Sequence, residues 1–149
     1  MTAAQQVAAS RTALVLDQPF FGSLSLRLKV TEDATCDTAW TDGQSIGYNP
    51  QYVETLSSPQ LLGLLCHEVL HVANGHPWRR GNRDQVRWNR AADYAINNIL
   101  TGCGFDLPEG GLIDPQYAGQ SAEYIYARLL DEDQQDQQDQ QGEQGQQGE

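Results

Sequence analysis

The stretch that decides the fold is residues 57–76, which read SSPQLLGLLCHEVLHVANGH. Ser57 is placed to cap a helix and Pro59 suits a first helical turn, so we predict that a helix begins here. Gly75 predicts its end. Apolar side chains occupy most of the circumference between these points: Leu61, Leu62, Leu64, Leu65, Val69, Leu70, Val72 and Ala73. We therefore expect a helix that is buried on nearly all sides.

This helix carries the HExxH motif His67-Glu68-Val69-Leu70-His71. His67 and His71 share one helix face, so both imidazoles are able to reach one tetrahedral metal ion. Glu68 lies about 100° round the helix, where a carboxylate is able to take a proton from a water whose pKa the ion has lowered. The alternative is that both histidines are core residues satisfied by hydrogen bonds. A buried helix has no structural reason to hold three such groups, which favours the metal site.

A hydrolytic zinc site uses three protein ligands and leaves one position for water, so a third ligand is needed. His76 is the near candidate, but it stands five residues after His71, and metzincins (HExxHxxGxxH) place that histidine at six. Asp93 is the far candidate, on the next predicted helix, where Asn89, Asp93 and Asn97 form a polar line at i, i+4 and i+8. The sequence favours Asp93, with His76 as the alternative. If neither is a ligand, the polar line is the solvated side of an amphipathic helix.

The remaining segments predict an α+β arrangement. An N-terminal helix is followed by the alternating residues 23–30, SLSLRLKV, which predict a half-buried strand. Asp42-Gly43 lies between two short extended runs and predicts a hairpin, so we expect a small antiparallel sheet of about three strands against the HExxH helix. Residues 87–100 form a further predicted helix, and a last one begins at Ser121.

Negative charge is concentrated at the C-terminus. The chain has a formal net charge of −11, and residues 131–149 contain only Asp, Glu, Gln and Gly. With no apolar side chain to bury, this segment is predicted to be a disordered acidic tail, which leaves residues 1–130 as the folded domain. The mildly acidic body argues against nucleic-acid binding, which needs clustered positive charge. We expect five neighbouring arginines to form a solvated, salt-bridged face: Arg79, Arg80, Arg83, Arg87 and Arg90.

The sequence contains no apolar run of membrane-spanning length, and its N-terminus lacks the pattern of a secretory signal. Its three cysteines, Cys36, Cys66 and Cys103, are an odd number with no CxxC pair. We therefore expect a cytoplasmic protein with free thiols and no membrane contact, and we interpret Cys66 as a packing residue of the buried helix.

Six stretches of the chain carry a resemblance to a known family: PFFGSLSL, TAWTDGQSIGYNPQYV, LLGLLCHEVLHVANGHPWRR, WNRAADYAINNIL, LPEGGLIDPQYAG and SAEYIYARL. They resemble the metallopeptidase domain found at the N-terminus of bacterial proteins that end in a von Willebrand factor A-like domain. The resemblance implies a compact zincin-like fold, similar to small gluzincins, with zinc and a hydrolytic role. Asp93, in place of the Glu usual in gluzincins, makes the expected site more like that of aspzincins.

The resemblance also implies partners. In similar proteins a polar, acidic linker leads into the von Willebrand-like domain, and the resemblance implies a MoxR-type ATPase as a partner of such two-part proteins. The von Willebrand-like domain is not within these 149 residues. We therefore expect any such partnership to depend on a part outside them.

The leading hypothesis is a zinc-dependent metallopeptidase that hydrolyses peptide bonds in a peptide or protein substrate. His67, His71 and Asp93 hold the ion, and Glu68 acts as general base before it passes the proton to the leaving amine. One strand of the predicted hairpin could pair with an extended substrate. The alternatives are a non-catalytic, zinc-stabilised binding or scaffold module and a metal-free helical interaction domain. Three residues are candidates for a second oxyanion donor: Tyr48, His76 and Tyr94.

Overall fold

Helices and one small sheet make up the fold, which the computed structural model describes for residues 1–147, with side chains up to residue 140. The elements in chain order are α1 (Ala3–Asp17), α2 (Pro19–Ser25), β1 (Lys29–Glu32), β2 (Ala39–Thr41), β3 (Ser45–Tyr48), α3 (Pro50–Glu54), α4 (Ser58–Ala73), α5 (His76–Arg79), α6 (Gln85–Gly102), a 3-10 turn (Pro115–Tyr117) and α7 (Ala122–Gln147). The predicted α+β class is confirmed, and the arrangement is consistent with a small zincin-like fold. None of the helices described is long and apolar enough to cross a bilayer.

Helix α4 lies at the centre, with α1, α2, α6 and β2 packed against it. It begins as predicted, because the Ser57 hydroxyl accepts from the Gln60 backbone N–H while the Gln60 side chain accepts from the Ser57 N–H. Cys66 is fully buried in this helix, which confirms its packing role, and burial raises the pKa of its thiol to about 12. Gly63 permits a close approach, since a Cβ there would lie 1.7 Å from the Asp106 carbonyl oxygen.

The predicted hairpin forms between β2 and β3. The Asp42 carboxylate accepts from the backbone N–H groups of Gln44 and Ser45 at 2.9 and 2.8 Å, and Gly43 has a φ of +94° that favours glycine. The sheet itself differs from the expectation, because it is mixed and has the order β1-β3-β2, with β1 parallel to β3. Strand β3 is the most buried of the three, so it takes the centre, and β2 is left at an edge.

The strand predicted over residues 23–30 is wrong for most of its length. Residues up to Ser25 belong to α2, and the strand begins only at Lys29. Pro19 starts the helix, and Gly22 presses it against α1, where an added Cβ would lie 2.5 Å from the Val15 Cα. This close packing of α2 on α1 outweighs the local alternation of leucines, which is a weaker signal than tertiary contact.

Helix α7 is anchored on α6 through buried side chains that include Ile125 and Leu129. It continues through residues 131–147 of the acidic segment, and residues 148 and 149 lie outside the described part. The division into a folded domain of residues 1–130 and a disordered tail stays a prediction.

Candidate metal centre

Helices α4 and α6 bring His67, His71 and Asp93 together. The Nε2 atoms of His67 and His71 lie 3.0 Å apart. The Asp93 Oδ1 atom lies 3.1 Å from the His67 Nε2 and 3.0 Å from the His71 Nε2. The two histidines meet because they occupy i and i+4 on one helix, whereas Asp93 arrives from another helix twenty-two positions further along the chain. These three atoms form a nearly equilateral triangle of potential ligands.

The triangle fits a metal ion in both donor type and spacing. Ligands at about 2.0–2.1 Å from a tetrahedral ion lie about 3.3 Å from one another. The separations of 3.0–3.1 Å seen here are within a few tenths of an ångström of that value. Two imidazole nitrogens and one carboxylate oxygen are also the donors of open, hydrolytic zinc sites. The three residues therefore form a group that could hold a metal ion.

Helix α6 packs on α4 through Ile96 and Leu100, which share a buried core cluster with the apolar side chains of α4. The small residues of α6, Ala91, Ala92 and Ala95, are buried instead in clusters with residues of α7 and the 3-10 turn. The polar line is directed at the site: Asp93 belongs to the triangle and Asn97 contacts a histidine. The interpretation of this line as a solvated helix face is therefore wrong for Asp93 and Asn97, whereas Asn89 is exposed.

Asn97 fixes the tautomer of His67. Its amide Nδ2 donates to the Leu112 carbonyl oxygen at 2.7 Å, which leaves its Oδ1 as an acceptor 2.8 Å from the His67 Nδ1. His67 Nδ1 must then carry a proton, so Nε2, the atom that faces His71 and Asp93, is the ring nitrogen that becomes available to a metal ion when its own proton leaves. Such contacts to the second ring nitrogen orient metal-binding histidines. The spacing of residues in the sequence did not reveal this role of Asn97, because the role depends on the position of the loop that follows α6.

His76 contacts the opposite side of His71 from Asp93. The two Nδ1 atoms are 3.1 Å apart, so His76 approaches the ring nitrogen that does not face the triangle. The residue is buried, and its carbonyl oxygen accepts from the Trp88 indole at 3.0 Å. Burial, reinforced by His71, lowers the pKa of His76 to about 4, so the ring is neutral at pH 7. The structure thus places the alternative third ligand beside the triangle as a support for His71.

Glu68 lies next to the triangle on α4 and is 6% exposed. Burial raises the pKa of its carboxyl group, while His67 and His71 oppose this shift. A carboxyl group with a raised pKa is suited to exchanging a proton near neutral pH. The electrostatic setting is therefore the one that a general acid–base group needs.

The surroundings of His67 and Asp93 shift the pKa of each. Burial disfavours the imidazolium form of His67, but the hydrogen bond with Asp93 and the charges of Glu68 and Asp93 outweigh it and raise the pKa of His67. Burial likewise acts to raise the pKa of the Asp93 carboxyl group, but hydrogen bonds from His67 and His71 hold it well below its usual range. Asp93 is therefore ionised at neutral pH, as a ligand must be.

Comparison with protein families identifies the family of this chain. The family described as "Putative metallopeptidase domain" matches residues 2–149. The chain belongs to this family. Comparisons with curated proteins and with solved structures returned no significant match. The membership and the triangle of His67, His71 and Asp93 are independent findings that point to the same chemistry.

A cleft of about 520 Å³ lies over the triangle. Strand β2, the edge of the sheet, forms one wall, while α5 and α6 form the other. A second cavity of about 180 Å³ adjoins His67 and Asp93 on the side of residues 107–112. Of the three candidate oxyanion donors, His76 lines the cleft, whereas Tyr48 and Tyr94 are not among its lining residues.

Proposed function

We propose that this metallopeptidase domain is a zinc-dependent hydrolase of peptide bonds, with zinc held by His67, His71 and Asp93. The observation that carries the proposal is the convergence of two imidazole nitrogens and a carboxylate oxygen at 3.0–3.1 Å. The buried Glu68 is close enough to these three residues for their charges to act on its carboxyl group. This donor set, with one position left open, matches hydrolytic zinc sites better than the closed, Cys-rich structural sites.

Zinc bound in such a site supplies a Lewis acid, which polarises a carbonyl group and lowers the pKa of a coordinated water. Glu68 then acts as general base, because its buried carboxylate is adjacent to both histidines. It accepts a proton when water attacks the scissile carbonyl carbon, and it returns that proton to the leaving amine nitrogen. A residue that serves both steps needs a pKa above that of an ordinary glutamate, which burial provides.

Two further residues keep the imidazoles in position for this chemistry. Asn97 accepts from the His67 Nδ1, and neutral His76 lies against the His71 Nδ1. Each therefore holds a ring through the nitrogen that does not face the triangle, so that both Nε2 lone pairs are directed at one point. Neither residue needs to touch the substrate for this role.

The substrate backbone is proposed to bind along β2. This strand lies at the edge of the sheet and its residues line the cleft. An edge strand offers unpaired backbone N–H and C=O groups, which an extended peptide is able to pair with as an added strand. Such pairing places the peptide backbone across the cleft and beside the triangle, without demanding particular side chains.

The proposal is tested with purified, zinc-loaded protein and a pool of synthetic peptides, using mass spectrometry to detect new termini. We expect cleavage by the wild type and none above background by Glu68→Gln, while both proteins hold about one equivalent of zinc. Equal zinc content in the two proteins with no cleavage by either would instead favour a zinc-stabilised binding module. Absence of stoichiometric zinc from both would contradict the metal centre itself.

A further inference from the structure

The arginines near the centre are largely engaged with acidic or aromatic partners. Arg79 donates from Nε to Glu123 at 2.8 Å. Arg87 donates to Asp133 at 2.9 Å, and Arg90 lies 3.6 Å from the same carboxylate. These pairs join α5 and α6 to α7, and they confirm the salt-bridged face expected from the sequence for three of the five arginines.

The remaining two arginines differ from each other. The Arg83 guanidinium lies over the rings of Trp88 and Tyr126, at 5.3 and 5.9 Å from their centroids. Arg80 forms no ion pair with any residue up to 140, the range over which side chains are described. It is half-buried at the end of α5, and it lines the cleft over the metal triangle.

The acidic residues that share this cleft have other partners. Asp93 is held by the two histidines, and the Asp42 carboxylate accepts from two backbone N–H groups in the β2–β3 turn. A half-buried guanidinium in a water-accessible cleft retains a strong preference for a carboxylate partner. Among the side chains up to residue 140, Arg80 is therefore an arginine of this cleft that has no carboxylate within ion-pair distance.

One end of the cleft is bounded by contact between its two walls. The Trp78 indole on α5 packs against Gly43 in the β2–β3 turn so closely that an added Cβ would lie 2.5 Å from the ring. Asp42 and Pro77, the neighbours of these two residues, both line the cleft. The Trp78–Gly43 contact therefore limits how far an extended peptide that lies along β2 continues beyond this end of the cleft.

We propose that Arg80 binds a carboxylate of the substrate and so selects peptides that carry one close to the scissile bond. The inference rests on the proposed metallopeptidase function and adds a substrate class to it. A guanidinium makes two parallel hydrogen bonds to a carboxylate, which positions the peptide as well as attracting it. Because the Trp78–Gly43 contact bounds the cleft, we expect the terminal carboxylate of a peptide to be the natural source.

The test measures binding of a metal-directed probe, so its readout does not depend on turnover. A succinyl hydroxamate coupled to alanine is prepared in two forms, with a free terminal carboxylate or with a carboxamide. Both are titrated by calorimetry into the zinc-loaded full chain and into Arg80→Gln and Arg80→Lys. Arg27→Gln is the matched control, because Arg27 is exposed and is not among the residues that line the cleft.

We expect the wild type to bind the carboxylate form roughly ten- to a hundredfold more tightly than the carboxamide. Arg80→Gln should bring this affinity ratio close to one, with unchanged affinity for the carboxamide form and an unchanged melting temperature. Arg80→Lys should keep part of the ratio, and Arg27→Gln should keep all of it. A ratio near one in the wild type, or a ratio that survives Arg80→Gln, overturns the inference while leaving the metallopeptidase proposal intact. If neither probe binds, the proposed metal centre is contradicted, and the inference about Arg80 is contradicted with it.

A second pair of probes distinguishes the two sources of a carboxylate. Glutamate or glutamine replaces alanine, and both probes end in a carboxamide. A preference confined to the terminal carboxylate shows recognition of a peptide C-terminus, as the bounded cleft predicts. An equal, Arg80-dependent preference for the glutamate probe shows recognition of an acidic side chain. Either result supports carboxylate binding by Arg80.

Discussion

Removal of the Asp93 carboxylate is the most informative single change, because it separates the two candidate third ligands. Asp93 Oδ1 lies 3.0–3.1 Å from both Nε2 atoms, whereas His76 approaches only the far nitrogen of His71. Four-ligand zinc sites have apparent binding free energies of about 10–16 kcal/mol, or roughly 2.5–4 kcal/mol per ligand. Asp93→Ala should therefore raise the zinc Kd roughly a hundred- to a thousandfold.

His76→Ala removes an outer contact, and changes of that kind raise the Kd by roughly ten- to a hundredfold. Both variants are titrated with zinc at pH 7 against a chromophoric chelator, after circular dichroism has confirmed that each is folded. Asn89→Ala is the control on α6, because Asn89 lines the cleft and is outside the triangle. A loss in His76→Ala that equals or exceeds the loss in Asp93→Ala would refute the assignment of Asp93.

Three further changes test the catalytic base, the support of the ligands and the packing of the central helix. Glu68→Gln should keep one equivalent of zinc and lose at least about a hundredfold in peptide hydrolysis, and retained hydrolysis would exclude Glu68 as the base. Asn97→Ala should weaken zinc affinity roughly ten- to a hundredfold in a chelator competition, while Asn98→Ala, whose amide donates to the Asp114 carbonyl of the same loop but not to a histidine, should not. Gly63→Ala should lower the free energy of unfolding in urea by about 1–3 kcal/mol, because the new Cβ overlaps a backbone carbonyl; Gly102→Ala has nothing within 4 Å and should be neutral or stabilising.

Sequence patterns predicted those elements whose signals are local. The capping box at Ser57 and the turn at Asp42-Gly43 are made by residues two or three positions apart, and both form as expected. The error over residues 23–28 arose where a distant contact decides the outcome. Helix α2 depends on close packing against α1. This contact is not visible in the composition of the segment itself.

The same distinction applies to the site. His67 and His71 are related by helix periodicity, and Asp93 is the middle member of a periodic polar line. Their spacing in the sequence was therefore sufficient to predict that the three residues share one site. The contacts of His76 with His71 and of Asn97 with the Leu112 carbonyl depend on the path of loops. Loop positions follow from tertiary packing, and the sequence therefore indicated the three candidate ligands without the residues that contact them.

The arrangement of ring nitrogens is a stronger indication of a metal than burial is. His67, His71 and Asp93 satisfy one another at 3.0–3.1 Å, so hydrogen bonding alone does not require an ion. However, Asn97 and His76 occupy the two Nδ1 atoms, which leaves both Nε2 atoms and one carboxylate oxygen directed at a single point. Ligands held in this way by folding have little conformational entropy left to lose when an ion binds, which is the arrangement that a preorganised catalytic centre needs.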